Sequence, residues 1–99
     1  MKHVLHPDAE AEFLDAIQYY GSIDSDLGVR FYLEIERLIL EVCSAPQRFH
    51  RFAPPARRHF SRTFPYAVIF LEEADHIWIV AVMHMKRSPD YWRNRTNTG

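Results

Sequence analysis

The sequence predicts a small α+β domain in which a mainly antiparallel β-sheet packs under an N-terminal two-helix hairpin. Two stretches with apolar side chains at helical spacing occupy residues 8–45. Two strand-sized apolar runs follow within residues 64–83, and a short polar tail comes after them. This order, β-α-α-β-β-β with a short C-terminal helical tail, is typical of one sheet with helices on one side.

The size and composition of the chain favour an ordered, single-domain protein. Its 99 residues predict one domain over residues 1–99, and an apolar fraction of 47% predicts a packed core. The single cysteine, Cys43, excludes an internal disulfide and is typical of a buried, inert position. The lone cysteine and the lack of an apolar run of secretion-signal length at the N-terminus predict a cytoplasmic protein. No apolar run approaches the ~20 residues that span a bilayer, so no membrane segment is expected.

The first predicted elements are an edge strand and a helix. Lys2–Leu5 is the strand, and Pro7 suits the first position of a helix that His6 caps. Apolar side chains then recur at helical spacing, at Ala9, Phe13, Ile17 and Tyr20. Gly21 is the predicted end of this helix.

A second amphipathic helix follows a short connection at residues 22–26. Its apolar stripe consists of Leu27, Phe31, Ile35, Leu38 and Val42. Ala45 ends the helix because a residue before proline is pushed away from helical geometry. The short connection predicts that the two helices form an antiparallel hairpin.

The second half of the chain predicts a loop and three strands. Residues 46–56 contain three prolines and are predicted as a loop. In the strand Arg57–Arg62, alternation sends Arg58, Phe60 and Arg62 to one face and Arg57, His59 and Ser61 to the other. Apolar side chains point to both faces of the strands Tyr66–Leu71 and Ile77–Met83, so both faces must be covered. The helices cover one face; the other requires the C-terminal tail, a long loop or a partner protein.

Charge is distributed unevenly along the chain, although the net charge is only −1. Residues 1–45 carry three basic and nine acidic side chains, whereas residues 46–99 carry nine basic and four acidic ones. Between Pro46 and Leu71 there are five arginines and no acid. This pattern favours a positive surface for an anionic partner, either nucleic acid or an acidic protein segment. The alternative is that the two halves neutralise each other in the folded protein.

Several kinds of chemistry are disfavoured by the residues present. Three glycines cannot build a phosphate-binding loop, so no nucleotide cofactor is expected. The six histidines show no ligand spacing, and no metal is expected. Metal-free RNA cleavage stays open, since it needs a proton-transfer group and cations for the phosphate. The candidate catalytic residues are His84 and Tyr91 for proton transfer, and Arg58, Arg62, Lys86 and Arg87 for phosphate.

Four segments together resemble a known family over about residues 3–93. They are His6–Ala9, Ala45–Phe49, Phe64–Phe70 and Ala81–Trp92, with Arg57 and Arg58 between the second and third. The ordered set resembles the RelE/ParE superfamily of bacterial type II toxin–antitoxin systems, also called plasmid stabilisation proteins. The segment Phe64–Val68 and the ending His84–Trp92 look more like the ParE branch.

The resemblance implies a cytoplasmic toxin that is neutralised by a cognate antitoxin. RelE-like members cut messenger RNA on the ribosome, whereas ParE-like members poison DNA gyrase. The RelE branch carries a catalytic arginine where this chain has Ala67, and its members tend to be strongly basic, so a gyrase poison is favoured. The alternatives are a ribosome-dependent RNase, which alone would make the chain an enzyme, and a non-toxic binding or regulatory protein.

The predicted target-binding or partner-binding residues lie at the margins of the sheet. They are Arg57, Arg58, Arg62, His84, Lys86, Arg87, Tyr91 and Trp92. The predicted partners are the antitoxin and either gyrase or, as the alternative, the ribosome with its messenger RNA. An antitoxin would also explain the apolar second face of the sheet, which we expect this chain to leave incompletely covered.

Overall fold

A computed structural model describes residues 1–98 as a helical hairpin packed on a five-stranded sheet. The elements are β1 (Lys2–Leu5), α1 (Pro7–Ile23), α2 (Ser25–Ser44), β2 (Arg51–Ala53), β3 (Ala56–Phe60), β4 (Tyr66–Glu72) and β5 (His76–His84). Short 3₁₀ helices lie at Pro46–Arg48 and Arg93–Thr98. The predicted α+β fold is confirmed. No helix within residues 1–98 is both long and apolar enough to cross a membrane.

The strands lie in the spatial order β1-β5-β4-β3-β2. β1 runs parallel to β5, and the three other pairs are antiparallel. As predicted, β1 is an edge strand and the hairpin of β4 and β5 forms the middle of the sheet. The register places Tyr66, at the start of β4, opposite His84, at the end of β5.

The prediction of an irregular loop at residues 46–56 was partly wrong. The segment contains a 3₁₀ helix and the strand β2, which pairs with β3. β2 has only three residues and is followed directly by two prolines, so its sequence carries no readable alternation. The ring of Phe52 in β2 lies 5.6 Å from the ring of Trp92, which ties this strand to the C-terminal tail.

The helical hairpin begins as predicted but turns at a different place. Nδ1 of His6 accepts a hydrogen bond from the Asp8 N–H at 3.0 Å and caps α1. The predicted end at Gly21 was wrong, since α1 continues to Ile23. Gly21 instead lies where the two helices approach most closely: a Cβ built on Gly28 would be 2.8 Å from the Gly21 Cα.

The two faces of the sheet are both covered by this chain. On one face the helical stripes pack against apolar side chains of β4 and β5, including Val68, Phe70, Ile77 and Ile79. On the other face the tail folds back, and Trp92 is only 2% exposed among Ala67, Ile69, Leu71, Val80, Ala81 and Met83. The expectation that this second face is left for an antitoxin was therefore wrong. The tail, one of the three predicted covers, supplies it.

Candidate functional site

A cleft of about 290 Å³ lies on the helical side of the sheet, where α1, the start of β4, the end of β5 and the tail meet. It is lined by Glu12, Asp15, Ala16, Tyr19, Tyr66, Val82, His84, Arg87 and Tyr91. Three of the predicted site residues, His84, Arg87 and Tyr91, thus come together. They do so because β5 ends at the cleft and the following tail turns back beside it.

His84 is oriented by the backbone that follows it. Its Nδ1 accepts a hydrogen bond from the Lys86 N–H at 3.0 Å, so in the neutral ring the proton resides on Nε2. The ring also contacts Tyr66 edge to face, with 5.0 Å between centroids. Neutral His84 therefore offers the cleft a donor at Nε2 and no free basic nitrogen.

The hydroxyl of Tyr91 is already committed within the protein. It donates a hydrogen bond to Oε2 of Glu12 at 2.7 Å. Burial, and then this bond to a carboxylate, raise the pKa of Tyr91 well above its ordinary value. The Arg87 guanidinium lies 3.9 Å from the centroid of the Tyr91 ring. Tyr91 thus serves as a neutral platform for a cation and is a poor proton donor.

Glu12 lines the cleft and is paired with Arg95, which lies behind it in the tail; sequence reasoning missed both residues. The Arg95 guanidinium donates to both carboxylate oxygens of Glu12, at 3.0 and 2.9 Å. Oε1 of Glu12 also accepts from the Val82 N–H at 3.1 Å, and Arg95 donates to the Val80 carbonyl at 2.9 Å. The pair is 83 positions apart in the sequence, and no local pattern connects the two residues.

The remaining predicted site residues lie outside the cleft. The Arg58 guanidinium stacks on Phe52 and Phe60, at 4.4 and 4.8 Å from the ring centroids. Arg62 and Lys86 are exposed, and neither lines the cleft.

Two further members of the predicted set serve the fold. Arg57 donates to the carbonyls of Gln47 and Phe49, at 3.3 and 3.1 Å. Trp92 is buried, and its indole N–H donates to the Pro89 carbonyl at 2.8 Å. The predicted residues therefore do not converge on one point; a partner contact by any of them stays a prediction.

Two features bear on RNA cleavage and on metal binding. Ala67 is fully buried in β4, between Phe60 of β3 and Met83 of β5 in the register. A long cationic side chain has no room there without displacing the core. Within residues 1–98, no three His, Cys, Asp or Glu side chains gather in a way that could hold a metal ion.

Comparison with known families decides the affiliation of the chain. The family model for the ParE toxin of the type II toxin–antitoxin system parDE matches residues 4–89. The chain belongs to the ParE toxin family. The match confirms the resemblance of this ParE-family toxin to the RelE/ParE superfamily and to its ParE branch.

A solved structure supports the fold of this ParE-family toxin independently. The chromosomal ParDE toxin–antitoxin system from P. aeruginosa includes a chain that superposes with a TM-score of 0.75 at 12% identity. The match covers 87% of this chain and 97% of that one. At such low identity the likeness concerns the fold alone. A search of curated proteins found no significant match.

Proposed function

We propose that this chain is a ParE-like toxin that arrests growth by poisoning DNA gyrase and is neutralised by a cognate antitoxin. The observation that carries the proposal is the match to the ParE toxin family over residues 4–89. A location in the cytoplasm and action as a single domain over residues 1–99 belong to the same proposal. The chain is then a binder of a protein target, with no catalytic residue of its own.

The chemistry of the cleft supports a protein target over RNA cleavage. The carboxylate of Asp15 lines it beside Glu12, whose charge is paired with Arg95, and the negative charge of Asp15 disfavours a phosphate. Tyr91 is held by Glu12, and the neutral His84 ring has no free basic nitrogen. A cleaving site needs a base and an acid beside cations that hold the phosphorane, and this cleft contributes one cation, Arg87.

The mixed character of the cleft suits a protein surface. Aromatic rings of Tyr19 and Tyr66 stand beside the donors His84 and Arg87 and the acceptor Asp15. Such a combination can bury an apolar side chain of a partner and pair both signs of charge around it. We propose that His84 and Arg87 contact the target or the antitoxin from this cleft, and that the exposed Lys86 does so beside it.

Growth and gyrase assays test the proposal directly. Induction of the toxin alone should arrest growth, and co-expression with the product of an adjacent small reading frame should restore it and yield a complex. Purified toxin should block supercoiling by gyrase and accumulate cleaved DNA. Arg87→Gln should weaken this inhibition roughly tenfold, the loss of one interfacial charge contact, whereas Arg30→Gln on the exposed side of α2 should not.

Three outcomes contradict the proposal. Cleavage of translating messages that disappears with His84→Ala or Arg62→Ala assigns a ribosome-dependent RNase. Absence of growth arrest assigns a non-toxic binding or regulatory protein. Full supercoiling by gyrase at a large excess of folded toxin excludes gyrase as the target.

A further inference from the structure

The positive charge of the second half of the chain is not neutralised by folding. Ion pairs between the acidic first 45 residues and the remainder form at two places within residues 1–98: Arg95 meets Asp8 and Glu12, and His59 meets Glu41. Within residues 1–98, none of the five arginines of the acid-free segment 46–71 forms an ion pair. The arginines of residues 46–71 therefore lack, among the described residues, the acidic partners that mutual neutralisation of the two halves would give them.

Three of these arginines lie at or directly after the edge of the sheet formed by β2 and β3: Arg51 is in β2, Arg58 is in β3, and Arg62 is two residues beyond β3. We call this surface the arginine edge; it consists of Arg51, Phe52, Arg58, Phe60 and Arg62. The register places Arg51 of β2 opposite Arg57 of β3. Arg57 is held by the carbonyls of Gln47 and Phe49 and lies on the opposite face of β3 from Arg58, so it is not part of this surface.

Arg58 carries the strongest indication of a missing anion. Its guanidinium lies between the rings of Phe52 and Phe60, and its Nε is buried without a hydrogen-bond partner. The two rings hold the cation in place, yet no carboxylate faces it. A partly buried cation with an unsatisfied N–H is costly unless an anion completes the site.

Phe60 adds a second kind of contact beside the cation. Its side chain is 40% exposed on β3, two residues from Arg58 and therefore on the same face of the strand. Phe52 continues the aromatic series towards Trp92. An exposed ring next to unpaired arginines matches the combination that binds single-stranded nucleic acid: cations for the phosphates and a ring for a base to stack on.

We propose that the arginine edge binds single-stranded nucleic acid through its phosphates and through base stacking on Phe60. This activity goes beyond the proposed action on gyrase and does not depend on it, since the cleft beside His84 lies on the helical side of the sheet. An acidic protein segment would satisfy the arginines but would leave the stacking surface of Phe60 unexplained. Phosphate and base faces are common to DNA and RNA, so both should bind.

Fluorescence anisotropy with labelled dT20 and rU20 tests the inference on the full chain. We expect binding with a dissociation constant of about 1–100 μM near physiological salt. The slope of log K against log salt should be about −2, as expected if three phosphates are contacted on a single strand. The DNA and RNA oligonucleotides should bind with similar affinity.

Substitutions separate this site from a general effect of charge. Phe60→Ala should weaken binding roughly 5- to 150-fold if a base stacks on the ring. Arg62→Gln and Arg58→Gln should each reduce the salt slope by about 0.7. Arg62 is exposed and can change without loss of packing, so it keeps the test valid if Arg58→Gln impairs folding. Arg30→Gln removes the same charge from α2 and should leave affinity unchanged.

Several results would overturn the inference. These are equal weakening by Arg30→Gln and Arg62→Gln, unchanged affinity in Phe60→Ala, and tighter binding of duplex DNA than of dT20. Polyglutamate that competes as well as dT20 at equal charge would assign the surface to an acidic protein instead. None of these results bears on inhibition of gyrase, which is measured separately.

Discussion

Glu12 connects three parts of the chain that are distant in sequence: its own helix α1, strand β5 and the C-terminal tail. Its carboxylate, on α1, accepts from the β5 backbone at Val82 and from Tyr91 and Arg95 in the tail. The side chains of Glu12 and Arg95 are only 17% and 11% exposed, so this ion pair is screened little by solvent. A helix, a strand and the tail are thus held by one side chain.

Glu12→Ala should lower the free energy of unfolding by about 2–4 kcal/mol, because a largely buried cation loses its nearest carboxylate and two further donors lose their acceptor. Urea denaturation measures this change. Asp15→Ala is the matched control, since Asp15 is an exposed carboxylate one turn further along α1; its effect should stay within about 0.5 kcal/mol. Equal effects of the two substitutions would contradict the fastening role of Glu12.

At the scale of elements, the helical hairpin depends on a close contact between two glycines. A Cβ on Gly28 would approach the Gly21 Cα at 2.8 Å and the Ile17 carbonyl oxygen at 3.2 Å. A Cβ on Gly21 would meet no atom within 4 Å. Gly28 is therefore required by packing, whereas Gly21 is only tolerated in its helix.

The two glycines should respond to alanine with opposite signs. Gly28→Ala should destabilise the protein by about 1–3 kcal/mol, because backbone atoms of α1 must move away. Gly21→Ala should stabilise it by about 0.5–1 kcal/mol, because alanine is favoured over glycine inside a helix. Thermal unfolding of both variants, followed by circular dichroism, makes the comparison. Destabilisation by both would show that the helices tolerate no side chain at either position.

At the scale of the whole molecule, a polar network joins the helical layer to the sheet. Arg37 bridges Glu34 and Glu41 along α2, with N–O distances of 2.9 and 2.8 Å. Ser61, directly after β3, donates to Glu34 at 2.6 Å, and Nε2 of His59 in β3 lies 2.7 Å from Glu41. The two layers are therefore connected by charge as well as by apolar packing.

This network predicts a loss of stability in acid. The hydrogen bond from Arg37 lowers the pKa of Glu34, and the hydrogen bond to His59 lowers the pKa of Glu41. A carboxyl group whose pKa is lowered by folding stabilises the protein at pH values above its pKa in the unfolded chain, which is near 4.5. This stabilisation is lost as the pH falls through the lower pKa of the folded protein. Urea denaturation between about pH 5 and pH 3 should show a falling free energy of unfolding.

Arg37→Gln should flatten this dependence on pH, because both carboxyls then titrate closer to their unfolded values. Asp75→Asn is the control. The neighbouring His76 lowers the pKa of Asp75, but Asp75 lies in the exposed turn before β5 and joins no layers. An unchanged pH profile in Arg37→Gln would refute the role of the network.

Sequence patterns predicted the elements whose apolar residues recur at a regular spacing. The helical stripes and the doubly apolar strands β4 and β5 are long enough to show their period. β2 is too short to do so, and the role of Gly21 depends on Gly28 of the other helix. The tail was recognised as one possible cover, but sequence could not choose between it and a partner.

Some residues of the candidate site could likewise be predicted from the sequence, and others could not. His84, Arg87 and Tyr91 could be grouped from sequence, because they follow one another at the end of a strand. Arg58 belongs to the far edge of the sheet, and the distance between it and this group depends on strand order. Glu12 and Arg95 meet only after the tail has folded back, so no local signal could have named them.

The Glu12–Arg95 pair also has a consequence for how the protein behaves at high concentration. β1 accompanies β5 only as far as Ile79, so the Val80 carbonyl and the Val82 amide face outward without a strand beside them. The side chains of Arg95 and Glu12 occupy these two groups. An unoccupied stretch of this kind templates pairing with other chains and leads to aggregates. We therefore expect that removal of the tail from Arg93 onward would expose the Val80 carbonyl and promote pairing of β5 with other chains.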